Sequence, residues 1–161
     1  DDRAKRVRRQ TVVSVVLILV MYAALFFLPY ADRRGIAVMP VGLAVRWIGA
    51  LATAGGFALV MGSGIALGRM YSKHVTVQQE HRLVTTSIYR AIRHPRYLGV
   101  LLLAVGLTLL YRSWVGAALI LPLIAILVQR IHDEERVLHD AFGPEWEAYA
   151  RRSWRLIPYL Y

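Results

Sequence analysis

Four apolar runs without charge alternate with basic clusters along the chain. Thr11 to Leu28 is an uncharged run of eighteen residues and Trp47 to Gly68 one of twenty-two, each long enough as a helix to cross a hydrocarbon core of about 30 Å. Tyr97 to Tyr111 and Trp114 to Val128 are fifteen uncharged residues apiece, about 22 Å at the helical rise, so they borrow flanking residues or sit where the bilayer thins. Folding these arms back at Arg112-Ser113 returns the polar clusters at their far ends, Arg93 to Arg96 and Arg130 to Glu135, to one membrane edge. The pattern predicts an all-α, polytopic membrane protein of about four transmembrane helices, the last two a hairpin.

Between the second and third runs, residues 69–96 form the longest polar stretch, too long for a turn. Within it Val75 to Val77 reads as a short extended piece, and Thr85-Thr86-Ser87 offers a helix N-cap before Ile88 to Arg93. After the hairpin, Gln129 to Phe142 has the apolar spacing of an amphipathic helix, either a new one or a continuation of the fourth span. Gly143-Pro144 breaks it, Glu145 to Arg152 restarts a short helix, and Pro158 ends regular structure. The chain therefore divides into two N-terminal spans (1–68), a connector (69–96) and a hairpin with its C-terminal helices (97–161), all within a single domain, 1–161. Glycines crowd the second span, with Gly64 and Gly68, and Ala52 and Gly56, at small-xxx-small spacing, a face for close helix packing or for a dimer. The oligomeric state is not legible from the chain.

Composition supports the bilayer as solvent: 57% of residues are hydrophobic and mean hydropathy is +0.45, too apolar for an ordinary soluble fold of this size. The net charge of +10 raises the question of nucleic acid, but its distribution answers otherwise. A four-span path puts sixteen of the twenty basic residues on one side and leaves Arg33, Arg34, Arg46 and Arg112 on the other. By the positive-inside rule the termini and the connector are cytoplasmic, and the charge reports topology and lipid headgroups rather than nucleic acid. The first run follows a basic segment as a signal peptide does, but it is long and lacks a small-residue cleavage site, so it reads as a retained anchor. Cysteine is absent, which removes disulfides, thiolate nucleophiles and thiolate metal ligands.

The chemistry concentrates at the two polar clusters. Arg130 and Glu134 stand four apart and can pair across a helical turn as a surface salt bridge. Near a membrane, ionisable groups more often face a polar cavity. Glu134 and Glu135, pointing about 100° apart on a helix, can serve different partners. Proline after His94 is an ordinary helix start. His132, Glu135 and His139 share a helical side at a spacing near that of di-iron bundles, but the chain has only five histidines and no His-x-x-x-His box, so no metal is expected. Trp146, Tyr149, Trp154, Tyr159 and Tyr161 beside Arg151, Arg152 and Arg155 read as interfacial anchors.

Taken together, Leu83-Val84-Thr85, Tyr89-Arg90, Arg93-His94-Pro95-Arg96-Tyr97-Leu98-Gly99, Arg130-Ile131, Glu134-Glu135, Leu138, Phe142-Gly143, Trp146, Tyr149 and Pro158 resemble the isoprenylcysteine carboxyl methyltransferase and phospholipid methyltransferase superfamily. The resemblance covers roughly the C-terminal half, with Ser87-Ile88-Tyr89 where Gly-Pro-Tyr is usual. It implies a multi-pass membrane enzyme that uses S-adenosylmethionine without a dinucleotide-type glycine motif, which this chain indeed lacks, in a cytosolic pocket formed with the C-terminal helices. His94, Pro95, Tyr97, Leu98 and Gly99 would line the cofactor, with Glu134 near its polar groups and Tyr89 close by. Arg130 and Glu135 would face the transferred methyl and the acceptor, a lipophilic small molecule or lipid.

Methyl transfer from a sulfonium is an in-line displacement that needs alignment above all. A carboxylate acceptor is already nucleophilic and needs only orientation, which suits the planar fork of Arg130; an amine must be deprotonated, which asks Glu135 to act as base. Isoprenylcysteine-type carboxyl O-methylation is the leading expectation. Phospholipid N-methylation and a non-catalytic membrane accessory role are the alternatives. The topology has its own check. In this cysteine-free chain, single cysteines at Ser72 and Ser153 should label from the cytoplasmic side and one at Ser113 from the opposite side; same-side labelling at all three would make the hairpin re-entrant.

Overall fold

The computed structural model describes residues 2–68 and 83–161; the Val75 to Val77 piece lies outside them. Helix α1 runs from Asp2 to Arg34, α2 from Leu43 to Leu67, α3 from Pro95 to Leu110, α4 from Trp114 to Phe142 and α5 from Pro144 to Arg151, with a 3-10 turn at Ser87–Arg90. Among the described residues there is no strand, only isolated bridges at Val38 with Ser113 and Ile92 with Trp154. Helices α2 and α4, of 25 and 29 residues, are long and apolar enough to cross a membrane, while α3 is a shorter apolar helix. Thr11 to Leu28 falls inside α1, and Gln129 to Phe142 continues α4 without a break.

Glycine decides how α2 meets α3. A Cβ on Gly49 would sit 2.4 Å from the Leu110 nitrogen and 2.7 Å from the Gly106 carbonyl, and one on Gly56 would sit 2.7 Å from the Gly99 carbonyl. In return, a Cβ on Gly106 would meet Thr53 N at 2.5 Å and one on Gly99 would meet Gly56 O at 2.8 Å. The two backbones therefore touch, antiparallel, at two points seven residues apart on each helix. Lipid offers no hydrophobic drive between helices, so close packing at small residues supplies the association. Gly55, Gly62 and Gly64 have nothing within 4 Å of the equivalent position. Of the two small-xxx-small pairs, Gly64 and Gly68 are open while Gly56 of the Ala52 pair lies at the contact, and its fellow contact point is Gly49, seven residues away.

The turn from α3 to α4 is tight. Arg112 takes a positive φ of 50°, and Ser113 caps α4 by accepting a hydrogen bond from Gly116 N at 3.1 Å, the role its hydroxyl suits. Thr108 and Gly116 abut at this end, while Tyr97 of α3 reaches Arg130 of α4 at the other, so the pair runs antiparallel. Ser113 is 1% exposed, so Ile36, 43% exposed, is the accessible labelling position near this turn.

The same edge is fastened by one acid. Asp32 at the end of α1 accepts from Arg112 Nε at 3.0 Å and Nη2 at 2.7 Å, and from Arg46 Nη2 at 3.0 Å. Two of the basic residues assigned to this side thus share one carboxylate, Arg112 on Oδ1 through two nitrogens and Arg46 on Oδ2. Helix α1 is buried at this end, at Leu28 and Ala31, whereas Leu19 and Phe26 are exposed.

The close approach makes a matched prediction. Gly56→Ala should lower stability by about 1–3 kcal/mol, because the added methyl meets backbone rather than a side chain that can move. Gly55→Ala should change it by about 0.5 kcal/mol or less. Thermal unfolding in detergent compares them; equal melting temperatures would mean that the helices do not pack through this face.

Candidate functional site

At the opposite edge the polar clusters meet. The chain enters α3 through His94 and Pro95, with Pro95 at the first helical position and fully buried, where its missing N–H costs nothing. His94 makes no side-chain cap bond, but its carbonyl accepts from the amides of Tyr97 and Leu98, both at 3.1 Å. Its ring is buried and stacks on Tyr97, centroids 5.7 Å apart.

Tyr97, Arg130 and Glu134 form one chain of contacts. Arg130 Nε donates to the Tyr97 hydroxyl at 3.2 Å, the hydroxyl donates to Glu134 Oε1, and Arg130 Nη2 lies 4.0 Å from the same carboxylate oxygen. The second oxygen of Glu134 is 3.7 Å from His94 Nδ1. A guanidinium, a phenol and a partly exposed carboxylate thus lie side by side, able to orient an anion next to a cation.

Glu135 turns to other partners, as its 100° offset requires. Its Oε1 accepts from Arg93 Nε at 2.9 Å and its Oε2 pairs with Arg155 Nη2 at 2.8 Å. His94 Nε2 lies 3.4 Å from Oε1, within ion-pair range, and is buried. Glu135 lies beyond the apolar run that ends at Val128. Burial opposes its ionisation, but the imidazole of His94 and the guanidiniums of Arg155 and Arg93 outweigh burial and bring its pKa down from 4.5 to about 2.

Arg93 is the most fully engaged of these cations. Beyond Glu135, its Nη1 donates to the carbonyls of Ala150, at 2.8 Å, and Ser153, and the guanidinium lies 5.9 Å from the Trp146 ring. Trp146 and Tyr149 are buried, at 5% and 3% exposure, and so form the core of the C-terminal cap. Trp154 and Tyr159 are the exposed aromatics of this segment, their rings tilted at 45° with centroids 5.1 Å apart. The positive φ of 48° at Gly143 turns α5 back over the site. Tyr149 donates to the Tyr89 carbonyl at 2.7 Å, and the Tyr89 hydroxyl reaches the Ser63 carbonyl of α2 at 3.4 Å. Burial pushes both phenols up to about 12.

Of the residues singled out in the sequence, His94, Tyr97, Arg130, Glu134 and Glu135 come together, with Tyr89 one layer away. Gly99 faces α2, where its lack of a side chain is required by helix packing, and Leu98 is half-buried beside it. Thr86 precedes the 3-10 turn but makes no side-chain cap bond. His132 approaches Tyr161 at 3.5 Å and His139 approaches Glu147 at 3.3 Å, so these histidines and Glu135 have separate partners. Arg93 and Arg155 carry much of the site's charge. Within the motif Arg93 reads as one more basic residue and Arg155 as a topology signal; their common partner becomes visible only in three dimensions.

A sequence model of the isoprenylcysteine carboxyl methyltransferase family matches residues 50–140. The chain belongs to that family. Among curated proteins it is similar to protein-S-isoprenylcysteine O-methyltransferase of Schizosaccharomyces pombe, 33% identical over 99 residues, which cover 60% of this chain and 42% of that protein. It is also similar to protein-S-isoprenylcysteine O-methyltransferase B of Arabidopsis thaliana, 30% identical over 99 residues, covering 60% of this chain and 50% of that protein. The chain spans about half the length of the curated relatives it matches. Its fold is shared with the solved eukaryotic intramembrane Ras methyltransferase, an isoprenylcysteine carboxyl methyltransferase, at a TM-score of 0.67 and 22% identity, over 94% of this chain and 53% of that one. Family membership and the apolar helices make it an integral membrane protein.

The ionisation of Glu135 has a measurable consequence. A carboxylate whose pKa falls on folding adds stability that is complete above its unfolded value of 4.5 and disappears as pH falls through about 2. The melting-temperature gap between the wild type and Glu135→Gln should therefore be flat above about pH 5 and should shrink toward acid. A gap that grows on acidification would contradict the ion cluster.

Proposed function

We propose that this chain is a membrane methyltransferase that transfers a methyl group from S-adenosylmethionine to the carboxylate of an isoprenylcysteine-type lipophilic acceptor reaching the site laterally from the bilayer. One observation carries the reading. In a chain whose family model covers residues 50–140, Tyr97, Arg130, Glu134 and His94 converge at one end of the α3–α4 pair. Four spans, cytoplasmic termini and a cytosolic cofactor site complete the proposal, supported by the charge asymmetry.

S-adenosylmethionine supplies an electrophilic methyl on a sulfonium. The donor set fits such a group: Glu134, 25% exposed, is an anion for cationic groups, and His94 Nδ1 lies 3.7 Å from its Oε2. In this reading His94, Pro95, Tyr97 and Leu98 line the donor with Tyr89 near them, and Gly99 contributes by letting α3 lie against α2. Tyr97 ties Glu134 to Arg130, so the groups serving donor and acceptor are held in one register. Arg130 orients the acceptor carboxylate, and no proton has to be removed from it. An amine acceptor needs a base, and both oxygens of Glu135 are committed to guanidinium groups, which favours the carboxylate over phospholipid N-methylation.

Labelled methyl should pass to a prenylcysteine analogue and not to phosphatidylethanolamine, and His94→Ala should weaken S-adenosylhomocysteine binding. Arg130→Lys keeps the charge but loses the planar fork, so turnover should fall by about two orders of magnitude with donor affinity little changed. Label in phosphatidylethanolamine alone, or normal turnover in Arg130→Lys, would overturn the assignment.

A further inference from the structure

The C-terminal segment grips the residues ahead of Pro95 in two ways. Along the backbone, Trp154 N–H donates to Ala91 O at 2.8 Å, Arg93 N–H to Trp154 O at 2.8 Å and His94 N–H to Arg155 O at 3.1 Å. Through side chains, Arg93 reaches the carbonyls of Ala150 and Ser153 and the Ser153 hydroxyl, while Arg155 also donates to the Tyr161 hydroxyl at 3.2 Å. Both arginines end on the same carboxylate: Arg93 on Oε1 of Glu135 and Arg155 on Oε2.

We infer that Glu135 is a positioning residue for donor binding: through Arg93 and Arg155 it holds the Ser153–Leu156 stretch against Ile92–His94, and so keeps His94 beside Glu134. The inference rests on the reading that this edge holds the methyl donor. It parts Glu135 from Arg130, with which the family resemblance pairs it on the acceptor side. A carboxylate gripped by two guanidiniums has little basicity to offer a substrate, but it can tie two segments to α4 from a single point.

Glutamine at 135 has one oxygen and an amide that donates, so one arginine must be released. Arg93 is only 10% exposed and retains its carbonyl acceptors, whereas Arg155 is 31% exposed and can turn to water. The release therefore falls on Arg155, whose carbonyl holds the His94 amide. Tyr97, Arg130 and Glu134 sit on α3 and α4 and are not part of this link.

The test is calorimetric binding of S-adenosylhomocysteine to the whole chain in lipid nanodiscs, combined with amide hydrogen exchange at Arg93, His94 and Trp154 and with donor KM and kcat. Glu135→Gln and Arg155→Gln should each weaken binding about tenfold, the loss of one charge-assisted hydrogen bond. Each should speed exchange at those amides, raise donor KM in parallel and leave kcat within about threefold. Arg155→Lys should recover most of the affinity, and the double variant should be no worse than either single one, because both remove the same link. Unchanged affinity and exchange in Glu135→Gln would overturn the inference. So would a loss of kcat by orders of magnitude at unchanged affinity, which would place Glu135 on the acceptor. A wild-type chain that fails to bind S-adenosylhomocysteine would remove the donor reading and this inference together, whereas wild-type binding with insensitive variants would remove the inference alone.

Discussion

A single carboxylate holding two guanidinium groups joins the three segments that meet where α3 begins. Ionised groups at a membrane boundary are costly unless paired, and a half-paired cluster is worse than none. Glu135 pairs with Arg93, just ahead of α3, and with Arg155, beyond α5, from a position on α4. Three stretches distant in sequence are thereby fixed around Tyr97 and Glu134. Arg93 adds backbone acceptors to its ion pair, so the segment bearing His94 cannot shift without breaking several bonds.

The two edges of the bundle use the same device for different ends. At the α1 end, Asp32 joins Arg46 and Arg112, and the cluster closes the turns without further chemistry. At the other edge, Glu134 is 25% exposed and shares its site with a phenol and an imidazole, the mixture that a charged ligand requires. Between them the glycine contact of α2 with α3 sets the spacing. Because α3 cannot move from α2 without losing backbone-to-backbone packing, Tyr97 in its first turn is presented to α4 at a fixed distance.

Much of the fold was legible because lipid allows so few solutions. Charge-free runs and a polar turn at Arg112-Ser113 anticipate α2, α3 and α4, and the resemblance that runs from Arg93 to Gly99 and on to Glu135 anticipates which side chains gather. The glycine register was not legible. Several small-residue pairs compete along α2, and only the antiparallel approach of α3 selects Gly49 and Gly56. Trp146 and Tyr149 read as interfacial because aromatic residues beside arginine usually are; the left-handed backbone at Gly143 folds their helix inward instead. The link from Arg93 to Arg155 through Glu135 leaves no local signal, since it spans 42 residues on one side and depends on how α5 returns.

The proposed donor site lies where α3 begins and α4 leaves its apolar run. Photo-crosslinking of radiolabelled S-adenosylmethionine to the chain in nanodiscs, followed by peptide mapping, tests that placement directly. Label should appear in peptides containing Tyr89 to Gly99 or Arg130 to Glu135, and excess unlabelled S-adenosylhomocysteine should abolish it. Label confined to α1 and α2, or around Asp32 and Arg112, would contradict the account.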